Sequence, residues 1–252
     1  MDLFEVALLA VVQGFTEWLP ISSSGHLVLL QTLLHVDTSL GLYAVLHLGT
    51  LLAVIVYFRS DLLSIFRAFI RAETGSRDFK MGLLVISGTI PTVLLALLFR
   101  DFFESLFSSL QATSAGLAIT GLLLLFSKFG RKSLDVDLPR SLLIGMFQGL
   151  AIAPGISRSG ATVSIALVSG VQAKEAFRYS FILSIPAIIG ANILEYGSTV
   201  SLGYYSILGF AIAAISGYIA IKIVDKAISK EKFYLFSVYC FALALISLIT
   251  LL

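Results

Sequence analysis

Glu17, Ser23, His26 and Arg158 are the side chains of this sequence best suited to chemistry, and each stands in a short polar pattern within an oily chain. The first pattern is Gln13-Gly14 followed by Ile21-Ser22-Ser23-Ser24-Gly25-His26. The second is Gln148-Gly149 followed by Ile156-Ser157-Arg158-Ser159-Gly160. Gln13, Gly14, Ile21, Ser22, Ser24 and Gly25 each meet an identical residue 135 positions later, so the two patterns form an internal repeat. The copies differ where the reactive groups stand: Glu17 corresponds to Ile152, Ser23 to Arg158 and His26 to Ala161. One copy brings an acid, a hydroxyl and an imidazole; the other brings a permanent cation.

The planar guanidinium of Arg158 fits two phosphate oxygens at once. Around it stand Gly155, Ser157, Ser159, Gly160 and Thr162, with a helix expected soon after. Amides at a helix N-terminus, small hydroxyls and permissive glycines make an anion cradle. In the first copy Ser22, Ser23 and Ser24 precede Gly25 and His26 at the expected start of another short helix. Ser23 and His26 lie three apart and would share a face of that helix, an arrangement suited to activating a hydroxyl. Glu17, shortly before Pro20, can orient the imidazole or ligate a divalent cation such as Mg2+ or Ca2+. Gln13, one turn earlier, supplies only a neutral amide oxygen. Two routes of attack stay open: Ser23 with His26 as general base, or a water activated by His26.

Other polar residues have plainer readings. His47 reads as a hydrogen-bonded packing residue, His35 as interfacial, Pro91 and Pro186 as helix kinks, and Cys240 as a small buried hydrophobe. Asn192 is either a polar neighbour of the site or glue between helices. Serine and glycine often serve only close packing in membrane helices. In a repeated pair of turns that also carries Glu17, His26 and Arg158, a site is the stronger reading.

Such residues need a scaffold, and composition says which kind. The chain is 58% hydrophobic and 13% charged, with a mean hydropathy of +1.00, whereas soluble domains carry about 25% charged residues. An integral membrane protein follows. A net charge of +2 argues against nucleic acid, and a lone cysteine excludes an intramolecular disulfide or a cysteine-built metal site. The residues before Phe15 include no Lys or Arg, so a cleaved secretory signal is not expected.

Runs long enough to span a bilayer cover 40–58, 81–99, 110–127, 179–195, 203–221 and 233–252. The motif regions instead give pairs of short runs, 3–15 with 26–34 and 141–153 with 161–171, each broken by Pro, Gly and hydroxyls. That is the signature of a re-entrant helical hairpin, whose irregular backbone needs protein or water to satisfy its amides. Cations crowd the segments 59–80, 128–140, 174–178 and 222–232, which places those loops in the cytoplasm. The connections holding Asp37, then Arg100 with Asp101 and Glu104, then Glu195 belong outside. Parity closes only if both hairpins return to the side they start from, which leaves both chain ends outside. The expected fold is therefore a single all-α membrane domain, 1–252, built as an inverted-topology repeat of about 1–127 and about 141–252. Each half is a re-entrant hairpin plus three transmembrane helices. The segment 59–80 should hold an amphipathic interfacial helix, with Arg67 and Arg71 toward headgroups.

The run Gln-Gly-Phe-Thr-Glu-Trp-Leu-Pro-Ile-Ser-Ser-Ser-Gly-His at 13–26 and the run Pro-Gly-Ile-Ser-Arg-Ser-Gly-Ala-Thr at 154–162 resemble the two signature motifs of undecaprenyl-diphosphate phosphatases of the bacitracin-resistance type. Length, motif spacing and His47-Leu48-Gly49-Thr50 fit as well, so the resemblance covers essentially the whole chain. It implies an enzyme that removes the terminal phosphate of a C55-type polyprenyl diphosphate and releases the monophosphate carrier used for cell-envelope glycans. It also implies dependence on a divalent cation and a site opening to the outer face of the cytoplasmic membrane. Carried over by residue, Glu17, Ser23, His26 and Arg158 match the family's catalytic positions, and Ser157, Ser159 and Thr162 its phosphate-binding motif. Many members carry a second acid where this chain has Gln13, which leaves Glu17 and substrate oxygens to hold the metal. Gln13, Ser22, Ser24 and Gly160 complete the expected substrate contacts.

The rival from another class is a secondary transporter or flippase of polyprenyl phosphate lipids, which shares inverted repeats and midplane charges. The set Glu17, Ser23 and His26 argues against it, since an anion carrier needs Arg158 but has little use for a nucleophile and base beside it. Expected partners are a polyprenyl diphosphate and the membrane; a homodimer is compatible with the pattern.

Overall fold

Pro20 cannot donate a backbone hydrogen bond and disfavours helical geometry in the residue before it, so the first helix stops at Trp18. This break recurs in the second half and organises the fold. The computed structural model describes residues 3–34, 40–130, 133–196 and 204–249, and those residues are helical apart from turns and one isolated bridge between Leu134 and Val171. His35, Asp37, Arg131, Lys132 and the connection 197–203 lie outside the described residues.

The helices are α1 (Leu3–Trp18), α2 (Ser23–Leu34), α3 (Leu40–Tyr57), α4 (Arg59–Ile70), α5 (Arg77–Leu98), α6 (Arg100–Leu106), α7 (Leu110–Phe126), α8 (Leu138–Leu150), α9 (Arg158–Val168), α10 (Ala173–Tyr196), α11 (Tyr204–Ser229) and α12 (Phe236–Ile249). Local chemistry sets several boundaries. Asp137 caps α8 by accepting from the Arg140 amide, with Pro139 in the first turn. Ser157 caps α9 by accepting from the Gly160 amide.

Four helical segments among the described residues are long and apolar enough to cross a membrane: Arg77–Leu98, Leu110–Phe129, Ala173–Leu194 and Tyr205–Ser229. A fifth is obtained if Gly41–Tyr57 and Arg59–Ile70, which meet at 75°, count as one span. Among the described residues, length and hydropathy together give four or five spans of the six expected. The first run ends where Arg59 begins a helix that turns aside, and the last is a shorter apolar helix, Phe233–Ile249, whose final expected residues lie outside the described set. The amphipathic helix expected in 59–80 is α4: Ala68 is buried, while Leu63, Phe66, Phe69, Ile70, Arg67 and Arg71 are exposed.

Packing is exchanged between the halves. Helix α1 lies along α11, α8 lies along α5, α3 meets α10, and α7 meets α12. Small residues permit the close crossings: a Cβ on Gly14 would come within 1.9 Å of Ser216 Oγ, and one on Gly145 within 1.9 Å of the Gly88 carbonyl oxygen. The cation-rich segments are tied to one another. Arg178 holds Asp61 at 2.5 Å and Asp78 at 3.1 Å, Arg77 holds Glu175 at 3.1 Å and Asp135 at 3.5 Å, and Lys128 stands 5.0 Å from the Tyr234 ring centre.

Candidate active site

The two broken segments meet. A Cβ on Gly25 would lie 3.4 Å from the Gly155 Cα, so the tips of the α1–α2 and α8–α9 pairs are in contact. Each break carries backbone groups that no helix satisfies, and neighbouring elements supply their partners. At the second, Thr120 of α7 accepts from the Ser157 amide and donates to the Gly155 carbonyl, both at 2.9 Å. At the first, Ser159 donates to the Leu19 carbonyl at 3.3 Å and Cys240 of α12 lies 3.4 Å from the Pro20 carbonyl. Cys240 is buried, as a small hydrophobe would be, and its thiol also closes this break.

The sequence repeat becomes a repeat of hydrogen bonds. Ser22 Oγ accepts from the Gly25 amide at 3.1 Å and lies 3.1 Å from Ser24 Oγ. Ser157 Oγ accepts from the Gly160 amide at 3.1 Å and lies 3.3 Å from Ser159 Oγ. The backbones differ in one respect, because Ser22 sits at φ 67° whereas Ser157 sits at φ −74°. A left-handed serine costs about 1–3 kcal/mol and falls between the acid and the hydroxyl of the first copy.

Glu17 is the hub. It is buried at the end of α1, and its Oε1 accepts from Arg158 Nη2. Its Oε2 accepts from Ser23 Oγ at 2.8 Å and from Gln13 Nε2 at 3.0 Å, with His47 Nε2 at 3.7 Å. Arg158 also reaches the Ser184 carbonyl at 3.4 Å and lies 5.3 Å from the Trp18 ring centre. Trp18 in turn stacks on Phe181 at 5.1 Å, so the guanidinium is held against a rigid aromatic wall. A charge buried here needs a partner, and Glu17 and Arg158 provide one for each other.

Not every expected pairing forms. Ser23 donates to Glu17, while His26 turns to Ser22 and Tyr239: its Nδ1 is 2.7 Å from the Ser22 carbonyl oxygen and its Nε2 2.7 Å from Tyr239 Oη. Sharing a helical face does not bring Ser23 and His26 together as a hydrogen-bonded pair, because a carboxylate and a backbone carbonyl are the nearer acceptors. The imidazole beside the acid is instead His47 of α3, whose Nδ1 faces the Tyr43 carbonyl at 3.0 Å and so presents Nε2 to Glu17. His47 is hydrogen-bonded within its helix, as expected, and its place beside the acid is the part that its sequence position does not reveal. Ser157, Ser159, Gly160 and Thr162 are buried at the start of α9, where Thr162 donates to the Arg158 carbonyl at 2.8 Å. Asn192 donates to Ile188, within its own helix, at 2.9 Å.

Among the described residues no three His, Cys, Asp or Glu side chains gather as a metal cluster. What the site offers a hard cation is one carboxylate and, beside it, Gln13 Oε1, which is buried and has no hydrogen-bond partner. An orphaned amide oxygen next to a carboxylate suits an oxygen-seeking ion that takes its remaining ligands from phosphate and water.

The chain is similar to known proteins over nearly its whole length. The model of the family described as bacitracin resistance protein BacA matches residues 6–246. An undecaprenyl-diphosphatase of Korarchaeum cryptofilum is 42% identical over 95% of this chain and 96% of its own length. One of Carboxydothermus hydrogenoformans is 41% identical over 99% and 97%, and one of Halothermothrix orenii 38% identical over 99% and 98%.

Proposed function

This chain belongs to the bacitracin resistance protein BacA family, and from that membership we propose its working cycle. It is an undecaprenyl-diphosphatase, a membrane enzyme that hydrolyses the phosphoanhydride of undecaprenyl diphosphate to the monophosphate carrier and phosphate. The observation that carries the mechanism is the 2.8 Å bond from Ser23 Oγ to Glu17, whose other oxygen holds Arg158.

Glu17 Oε1 lies against the Arg158 guanidinium, where an anion would bind. An arriving diphosphate takes that place, because Arg158 can hold two of its oxygens at once. Glu17 is then left facing the Ser23 hydroxyl. Ser23 Oγ attacks the terminal phosphorus while its proton passes to Glu17. The Oγ–P bond forms, the anhydride P–O bond breaks, and the electron pair leaves on the undecaprenyl monophosphate oxygen. Water then attacks the phosphoserine: its O–P bond forms and its proton passes to His26, while the Oγ–P bond breaks and Glu17 returns its proton to Ser23 Oγ, releasing phosphate. Arg158 and the N-terminal ends of α2 and α9 stabilise the charge that develops on the transferred group. A divalent cation, Mg2+ or Ca2+, would be held by Glu17 and Gln13 Oε1 together with substrate oxygens, and would neutralise phosphate charge. The hydroxyls of Ser22, Ser24, Ser157, Ser159 and Thr162 fix the two turns that form the cradle.

The architecture is read as an inverted repeat of two re-entrant hairpins. It is supported by the exchanged packing of α1 on α11 and α8 on α5. The cation-rich loops then face the cytoplasm and the site opens to the outer face of the cytoplasmic membrane. Phosphate release from detergent-solubilised protein given undecaprenyl diphosphate, with and without chelator, tests the cycle. Chelator should abolish release and added Mg2+ or Ca2+ should restore it; undiminished turnover in chelator would remove the metal.

A further inference from the structure

Helix α12 carries neither signature pattern, yet it supplies a hydrogen bond to His26. Tyr239 Oη lies 2.7 Å from His26 Nε2 across 213 positions of sequence, and the two rings stack at 5.6 Å with 7° between their planes. The opposite ring nitrogen fixes what this bond means. His26 Nδ1 is 2.7 Å from the Ser22 carbonyl oxygen, which has no proton to give, so Nδ1 carries the hydrogen in every protonation state. Proton exchange at His26 is thereby confined to Nε2, and Tyr239 sits on it. A phenol suits that place because it donates to neutral Nε2 before the transfer, turns its O–H off the lone pair as the proton of the attacking water arrives there, and accepts from Nε2–H afterwards.

We propose that Tyr239 is a positioning residue for His26, holding Nε2 as the nitrogen through which the imidazole exchanges its proton during hydrolysis. The role rests on the hydrolytic cycle above, with His26 as its second proton carrier. Ser22 and Tyr239 act as the two jaws of one clamp: the left-handed serine aims its carbonyl at Nδ1, and the tyrosine closes on Nε2. Tyr239 touches the imidazole and acts through it.

The test is Tyr239→Phe, which keeps the stacked ring and removes only the hydroxyl. Its kcat for undecaprenyl diphosphate should fall about tenfold at unchanged KM, the loss of one hydrogen bond at the proton carrier. In 15N spectra of protein labelled at histidine, the His26 Nε2 resonance should move while Nδ1 stays in place. Tyr239→Leu, which also removes the ring, should lower kcat further. An unchanged kcat in Tyr239→Phe, or a lowered kcat with Nε2 unmoved, overturns the proposal. A wild-type protein that releases no phosphate would instead sink the hydrolytic cycle, and the Nε2 resonance would still decide whether Tyr239 and His26 are partners.

Discussion

Glu17 engages four side chains, and that multiplicity makes its neighbours testable one at a time. Arg158→Lys keeps a positive charge but cannot hold two phosphate oxygens in fixed geometry, so activity should fall by about 10²-fold or more in a normally folded protein. Wild-type turnover in that variant would take Arg158 out of the site. Ser23→Ala removes the hydroxyl that donates to Glu17 at 2.8 Å and should abolish turnover. A rapidly quenched wild-type reaction should yield phosphoserine at position 23. Robust hydrolysis by Ser23→Ala would mean that Glu17 or His26 activates water directly.

At the scale of the element, the broken pairs depend on helices that carry no signature motif. Gly155 has φ +84°, and a Cβ there would lie 2.1 Å from the Thr113 carbonyl oxygen of α7. Gly155→Ala therefore combines left-handed strain with a backbone clash and should lower the melting temperature in detergent by more than an ordinary surface change. Thr120 presents the milder case. Thr120→Val keeps the shape but leaves the Gly155 carbonyl and the Ser157 amide without their partner, at about 1–3 kcal/mol for each group. Loss of stability and turnover in Thr120→Val, restored by Thr120→Ser, is the expected result. Equal behaviour of all three would show that the second break does not need α7.

Across the whole molecule, the charge pattern and the tertiary contacts agree on one end. The cation-rich segments are joined there by Arg178 to Asp61 and Asp78, and by Arg77 to Glu175 and Asp135. If that end is cytoplasmic, an impermeant thiol reagent applied to intact cells should label Ser108→Cys between α6 and α7 but not Thr74→Cys between α4 and α5, both being exposed positions. Native Cys240 is buried and should give little background. The reverse pattern would invert the topology, and labelling of both positions would break it.

Much of this protein could be read before any contact was known, because membrane helices announce themselves by length and hydropathy and a repeat shows itself by identity at a fixed offset. That is why the helical class, the helix breaks after Trp18 and before Arg158, and the membership of Glu17, Ser23 and Arg158 in one polar cluster were legible in the sequence. Spacing along one helix could not decide which partner each side chain takes, since hydrogen bonds go to the nearest acceptor in space. Only the tertiary structure gave Ser23 to Glu17, brought His47 of α3 beside the acid, and set Tyr239 of α12 on His26. The separate amphipathic helix after the apolar run 40–58 was legible as well, but the 75° angle at which α4 leaves α3 was not. Local pattern fixes which residues must leave water, and close packing between distant segments decides which of them meet.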